Sequence, residues 1–415
     1  MTINHKKTDR TTKAVVAGVP DAPLVAVSVR GAARLREGHV WVYRSDLLNE
    51  ADAPPGALVH VHDERGRKLG SALYSSTSQI AIRMISSEAR NEAELPALIA
   101  ERIDSAVAFR REVAHNTDSY RVIFSEADLL PGLIVDKYND VLSFQVLTQA
   151  FDREELRRAV TGGLVRHFPQ ASILERVDSR IRELEQLPAR ETQLISGDRS
   201  QAIFTVNGVR FYYDGLSGQK TGAFLDQREN YAAAARWSRG EALDCFTYQG
   251  GFALHLARVC GSVTAIDSSR AALEVAEQNE TLNKLEHRSG DIEWIEANAF
   301  DLLKDYSTAG RQCDTVVLDP PAFAKTKRAV PTALKGYKEL NLRALKMLRP
   351  GGTLVTCSCS FHVSEGEFLE VLGSAAADTG RRVRVLEKRG AALDHPALLN
   401  VPETAYLKCV ICRVL

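Results

Sequence analysis

The segment Leu243–Asp267, LDCFTYQGGFALHLARVCGSVTAID, constrains the fold of this chain more than any other. An apolar strand ends near Asp244 and a loop closes on Gly250-Gly251. Phe252–Val259 is predicted as a helix, and Ser262–Ile266 as a second strand that ends on an acid, Asp267. A glycine-rich turn between strand and helix lets backbone amides approach a ligand at the helix N-terminus. An acid at the end of the next strand, 23 residues after Asp244, can accept both hydroxyls of an adenosine ribose. This is the order of a nucleoside-cofactor half-site. The loop is neither GxGxxG nor GxxxxGK(S/T), which weighs against a dinucleotide and against a nucleoside triphosphate. S-adenosyl-L-methionine (SAM) is left as the leading ligand, with Phe246, Tyr248, Gly250 and Asp267 as expected contacts. The bland alternative for Asp267 is a helix cap for Arg270–Asn283, a task that Ser268 and Ser269 could also perform.

Two later motifs bear on the chemistry. Asp314–Leu318 is an apolar strand followed by Asp319-Pro320-Pro321-Ala322-Phe323, and Pro350-Gly351-Gly352 precedes the strand Thr353–Cys357, which runs into Ser358-Cys359-Ser360. In an open parallel sheet, ligands bind outside the carboxyl ends of the strands. Asp244, Asp267, Asp319 and Cys359 all stand at such ends and are expected to converge on one cleft. Two prolines at a central strand end remove two amide donors, a cost that suits a side chain needing rigid placement. The remaining cysteines, Cys245, Cys260, Cys313, Cys357, Cys409 and Cys412, are read as small buried hydrophobes. Cys409-x-x-Cys412 lacks a second pair nearby, so no zinc or other metal site is expected. His60 and His62 share a strand face without an evident third ligand.

Beyond residue 240 strands alternate with helices, the pattern of a doubly wound α/β sheet. Leu24 to about Ile85 carries short strand-like runs (LVAVSV, HVWVY, ALVHV, SALY, QIAIRM) separated by turn signals, as in a small β-barrel. A charged helix is predicted at about Asn91–Val113. An α+β region follows, with a helix near Asp152–His167 and a polar stretch at Arg180–Gln201. AIFTVNGVRFYYDG reads as a hairpin turning on Asn207-Gly208. The expected division is a disordered tail over 1–22, a β-rich domain over 23–97, a central α+β domain over 98–200 and the doubly wound domain over 201–415.

Fifty-three basic and 53 acidic side chains cancel, which counts against a broad nucleic-acid coat but allows a local basic face. Candidates are Arg30, Arg34, Arg36 and Arg44, then Arg102, Arg110 and Arg111, then Lys325, Lys327 and Arg328. No apolar run approaches the ~20 residues of a membrane span, and the polar N-terminus lacks the apolar core of a secretory signal. Seven cysteines, all between Cys245 and Cys412, fit a reducing cytoplasm better than a disulfide framework.

The chain resembles the bacterial 23S rRNA (cytosine-5-)-methyltransferases of the RlmI/RlmO type. The resemblance rests on HVWVYRSDL (39–47), GSALYSSTSQIAIRM (70–84), SEADLLPGLIVDKYND (125–140), QKTGAFLDQREN (219–230), CFTYQGGFA (245–253), LDPPAFAK (318–325) and GGTLVTCSCS (351–360). It spans roughly residues 23–415. It implies a PUA-like RNA-binding domain, a small central domain and a Rossmann-like SAM methyltransferase domain acting on 23S rRNA or a large-subunit precursor. Oligomeric state stays open, a homodimer being one arrangement. The family's catalytic thiol falls on Cys359, not Cys357. Ala322 stands where two-thiol enzymes carry a second cysteine, which implies a single catalytic thiol. Asn298 occupies the place of an acid that accepts the adenine amino group, a departure that leaves the contact available. The segment 219–230 is expected over the active site, so Lys220, Gln227 and Arg228, with Phe323 and Lys325, are candidate substrate contacts.

In that chemistry a thiolate adds to carbon 6 of cytosine and makes carbon 5 nucleophilic. Cys359 would need a lowered pKa, and Asp319 a raised one to give a proton to ring nitrogen 3. A purine methyltransferase would keep the cofactor site and Asp319 without needing Cys359. A noncatalytic RNA-binding assembly factor would need neither.

Overall fold

The computed structural model describes residues 22–49, 52–216, 223–283 and 291–415. Lys220, and the expected tail apart from Ala22, lie outside the described residues.

Five strands build the first sheet: β1 (Leu24–Val27), β2 (Trp41–Tyr43), β3 (Leu58–Asp63), β4 (Lys68–Tyr74) and β5 (Ile80–Ser86), in the order β1-β3-β4-β5-β2. β1 runs parallel to β3 and the other pairs are antiparallel. LVAVSV is not one strand throughout. Ser28 ends it by accepting the Gly31 amide at 3.2 Å and so starts helix α1 (Val29–Arg36), because a capping serine offers the backbone an alternative to the ladder.

The charged helix is α2 (Leu95–Val113), entered through a capping box of Asn91 and Glu94. It packs on a central sheet of β6 (Ser119–Phe124), β7 (Leu133–Tyr138), β8 (Val141–Val146), β9 (Ser172–Glu175) and β10 (Gln193–Ser196), together with α3 (Glu154–His167). The polar stretch at 180–201 is more ordered than its composition suggests. It contains α4 (Ser179–Leu184) and supplies edge strand β10. Part of its polarity is consumed internally: the buried Arg182 guanidinium holds both carboxylate oxygens of Asp152, at 3.0 and 3.2 Å, and the Pro188 carbonyl.

The hairpin β11 (Gln201–Val206) and β12 (Val209–Asp214) turns on Asn207 and Gly208, both at positive φ, as a two-residue turn requires. After α5 (Arg228–Trp237) comes the largest sheet. Its elements are β13 (Glu241–Cys245), α6 (Gly251–Leu256), β14 (Ser262–Asp267), α7 (Arg270–Asn283), β15 (Asp291–Glu296), α8 (Ala299–Thr308), β16 (Cys313–Leu318), α9 (Val330–Met347), β17 (Leu348–Ser358), α10 (Glu365–Asp378), β18 (Val383–Arg389) and β19 (Lys408–Val414). The order β15-β14-β13-β16-β17-β19-β18 reverses direction between β13 and β16, and that switch point opens the crevice where ligands bind in such sheets. Apolar layers cover both faces. β19 is antiparallel to β17, which returns the chain end to the outer side of the Cys359 strand.

Candidate active site

At the end of β13 the chain makes three left-handed steps, at Phe246 (φ 66°), Tyr248 (φ 52°) and Gly250 (φ 85°). For the two aromatic residues this is strained backbone, and strain of this kind gathers where a ligand is held. Four hydrogen bonds fix it. Thr247 N donates to Ile266 O and Gly250 N to Thr247 O, each at 2.9 Å. Tyr248 N donates to Asp267 Oδ2 at 2.9 Å, and the Thr247 hydroxyl to Asp244 Oδ2 at 2.6 Å. A Cβ at Gly250 would lie 2.8 Å from the Trp294 ring, and one at Gly251 2.5 Å from Tyr231. The glycines therefore let ring and loop close on each other.

Asp267 also accepts the Ser269 amide at 2.9 Å, so capping and loop-holding share one carboxylate. The Asn298 carbonyl accepts the Phe300 amide at 2.9 Å and caps α8. Asp244 is fully buried, and burial pushes its carboxyl up to about 7, with the Thr247 hydroxyl and the Ala253 amide opposing and the Asp267 charge adding. A cleft of about 480 Å³ opens between this loop, the β11–β12 hairpin and residues 223–228, lined by Phe246, Tyr248, Phe224, Tyr231 and Asp319. Its mostly apolar walls, a positive-φ glycine loop and an acid at the end of β14 fit a nucleoside-bearing methyl donor.

On the other side of the switch point, Asp319 leaves β16. Gln227 Nε2 donates to its Oδ1 at 3.0 Å, and Gln227 is oriented by Asn230, whose amide donates to Gln227 Oε1 at 2.7 Å. Burial above all, then the charges of Asp226 and Asp244, push the Asp319 carboxyl up to about 8, against the pull of Gln227. A carboxyl raised this far keeps its proton at neutral pH. The Cys359 thiol donates to the Pro320 carbonyl at 3.8 Å, which sets it beside the Asp319-Pro320 turn. Ser360 locks the two strand ends together: its hydroxyl accepts the Ala324 amide at 3.0 Å and pairs with the Tyr337 hydroxyl at 2.9 Å, which also accepts from Ser358.

The thiol pKa departs from expectation. Burial, then the Asp319 and Asp226 charges, push Cys359 up to about 11, and Lys408 acts in the opposite sense. Lys408 is buried and donates to Ser360 O at 2.6 Å and Tyr406 O at 2.9 Å. Burial lowers it to about 8. Cys357 is fully buried opposite Cys409 across β17 and β19, and its thiol is held far up by burial and by that neighbour.

Several expected substrate contacts are otherwise engaged. Arg228 lines the cleft, but its guanidinium is buried and paired at 2.8 Å with the fully buried Asp394. A charge without water needs that partner, so Arg228 is a structural cation and not a free RNA contact. Phe323 packs against Tyr337 and Phe300, ring centroids 4.8 and 5.8 Å away. Lys325, Lys327 and Arg328 are exposed. The other two basic clusters are largely consumed by the fold. Arg30 and Arg34 face Asp46, Arg36 faces Asp63 and Arg44 bonds the Ser75 and Ser78 carbonyls. Arg102 bonds the Ile85 and Leu129 carbonyls, and Arg110 is buried on Asp128.

Residues 179–413 match the model of the S-adenosylmethionine-dependent methyltransferase family, and residues 25–87 match that of a PUA-like domain. Ribosomal RNA large subunit methyltransferase I of Serratia proteamaculans is 35% identical over 384 residues, covering 91% of this chain and 96% of its own. The chain belongs to that methyltransferase family. Ribosomal RNA large subunit methyltransferase I of Pseudoalteromonas atlantica is 36% identical, covering 91% of this chain and 95% of its own. The crystal structure of SMU.776 with bound SAH shares the fold at 18% identity, with a TM-score of 0.80, covering 94% of this chain and 99% of its own. This methyltransferase is thus SAM-dependent, and its α/β domain follows a PUA-like domain. No helix among the described residues is long and apolar enough to cross a membrane.

Reading the sequence did not single out Asp226, Tyr406 or Lys408. Asp226 adjoins Gln227 in the segment expected over the site. Tyr406 and Lys408 reach it only because β19 pairs back onto β17, which no local pattern announces.

Proposed function

We propose that this methyltransferase forms 5-methylcytosine in 23S rRNA through a covalent adduct of Cys359. The observation that carries the reading is the pairing of a half-buried thiol with a carboxyl that is protonated near neutral pH, on adjacent strand ends. A purine methyltransferase would have no use for Cys359.

The Phe246–Gly251 loop, with Asp267, Asn298 and Asp319, would hold the cofactor. SAM would supply an electrophilic methyl and a positive charge. Lys408 adds a second positive charge to favour the Cys359 thiolate, whose electron pair forms the sulfur–carbon 6 bond. Asp319, held by Gln227, gives its proton to ring nitrogen 3 as the thiolate adds and takes it back on elimination, a role that requires its raised pKa. The cytosine must be unstacked to reach the cleft. The PUA-like domain (residues 23–97) grips RNA shape, and the exposed Lys325, Lys327 and Arg328 add phosphate contacts. Seven cysteines, all between Cys245 and Cys412, support a cytoplasmic setting.

RNA carrying 5-fluorocytosine provides the test, because fluorine cannot leave as a proton. The wild type is expected to form a denaturation-resistant adduct. Cys359→Ala is expected to abolish both adduct and methylation, and Cys357→Ala to keep substantial activity. Full methylation by Cys359→Ala would remove the cytosine-5 mechanism and favour the purine alternative.

A further inference from the structure

The proposed chemistry leaves one proton unassigned. A thiolate on carbon 6 occupies one face of the pyrimidine, so the methyl reaches carbon 5 from the other. The carbon 5 hydrogen is thereby displaced toward the thiol's face. The group that removes it must stand beside Cys359 and must be an acceptor.

Among the described residues, hydrogen bonds and strand pairing gather five ionisable side chains around the end of the Cys359 strand: Asp319, which precedes the carbonyl that takes the thiol, Lys408 and Tyr337 on Ser360, Tyr406 beside Lys408, and Asp226 on the Tyr406 hydroxyl. Asp319 is already the partner of ring nitrogen 3. Lys408 is a cation bound to two carbonyls. The Tyr337 hydroxyl is taken up by Ser358 and Ser360, and the Tyr406 hydroxyl is a donor to Asp226 Oδ2. Asp226 remains. It stands in the short turn Leu225–Gln227, whose next residue holds Asp319, and it is half-buried. Its backbone carbonyl is pinned by Ala392 N at 2.8 Å. Tyr406 binds one carboxylate oxygen, and the other accepts no hydrogen bond among the described residues. Arg121, bound to Asp136, adds a nearby positive field.

From this elimination and geometry we infer that Asp226 is the base that removes the carbon 5 proton, with Tyr406 orienting it. The inference rests on the cytosine-5 reading. In the step, the Asp226 carboxylate forms an O–H bond with that proton. The carbon 5–hydrogen electron pair becomes the carbon 5–carbon 6 double bond, and the sulfur–carbon 6 bond breaks to return the Cys359 thiolate. Asp319 recovers the nitrogen 3 proton. Adduct formation does not need Asp226, and adduct resolution does.

The test uses the full chain, SAM labelled in its methyl group, and 23S rRNA transcripts containing either cytosine or 5-fluorocytosine. Asp226→Asn is expected to form the 5-fluorocytosine adduct as the wild type does and to turn over ~10²-fold or more slowly. On ordinary cytosine it is expected to accumulate a denaturation-resistant, methyl-labelled RNA–protein complex that the wild type does not build up. Tyr406→Phe is expected to show the same accumulation more weakly, and it carries the test should Asp226→Asn not fold. Turnover by Asp226→Asn within twofold of wild type would overturn the assignment. So would slow turnover without a trapped complex, or loss of S-adenosylhomocysteine binding by calorimetry, which would make Asp226 a cofactor ligand. Absence of the 5-fluorocytosine adduct in the wild type would instead sink the Cys359 reading on which the assignment rests.

Discussion

Cys359, the proposed nucleophile, stands in an unpromising setting: burial and two carboxyl groups oppose its ionisation, and one cation favours it. That cation is Lys408, fixed at Nζ by the carbonyls of Ser360 and Tyr406. With its own pKa lowered to about 8, Lys408 is charged below that pH and loses its influence above it. Lys408→Met is therefore expected to slow Cys359 alkylation by iodoacetamide about tenfold below pH 8, equivalent to ~1.4 kcal/mol, and to leave it unchanged well above pH 8, a shift in the pH profile confined to where the lysine is charged. Lys408→Arg should restore part of the shift. An unchanged alkylation profile in Lys408→Met would show that the lysine only braces the strand end. Asp319→Asn is expected to lower methyl transfer ~10²-fold or more, and to leave, of the basic limb near pH 8, only the part that the loss of charge on Lys408 produces.

The loop between β13 and α6 was the part of the site most legible in the sequence, because its chemistry is local. A strand, a double glycine and an acid at the next strand end can be read in order along one stretch, and the fold places them as read. Cys357 was separable from Cys359 for the same local reason: two residues apart, only the outer one reaches the strand end. Legibility fails where a long-range pairing decides the outcome. Arg110 and Arg228 look like nucleic-acid contacts until the loop carrying Asp394 folds over them, and the polar stretch after α4 hides an edge strand because Arg182 finds Asp152. At this scale the decisive substitution is Gly250→Ala. It forces a side chain into left-handed backbone with its Cβ 2.8 Å from Trp294, at a cost of about 1–3 kcal/mol. Calorimetry is expected to show at least tenfold weaker S-adenosylhomocysteine binding. Unchanged binding would mean the loop does not need its observed shape.

Across the whole molecule, Asp394 is the point where the central domain meets the methyltransferase sheet. Its Oδ1 pairs with Arg228 at 2.8 Å, its Oδ2 accepts the Arg121 amide at 2.8 Å, and its backbone carbonyl accepts from Arg110 at 2.9 Å. His39 of the first domain meets Glu403, at 3.2 Å, in the segment that follows. The charge of His395 above all, then that of Arg228, with the Arg121 amide, overcome burial and hold the Asp394 carboxyl well below the usual carboxylate range. A carboxyl depressed on folding contributes stability that is fully present above its unfolded pKa of about 3.9 and is lost as pH falls through the folded value. Asp394→Asn leaves the buried Arg228 without a counter-charge, at a cost of about 3–5 kcal/mol. Its thermal midpoint is therefore expected to lie well below that of the wild type, by a constant gap above about pH 5 that begins to narrow below about pH 4 and closes only as pH falls through the folded value. Because Arg228 and Gln227 are neighbours, the variant should also loosen the grip on Asp319 and slow methyl transfer at temperatures where it is still folded. Equal midpoints at pH 7, or a gap that persists unchanged to pH 3, would show that the three arginines meet at Asp394 without depending on its charge.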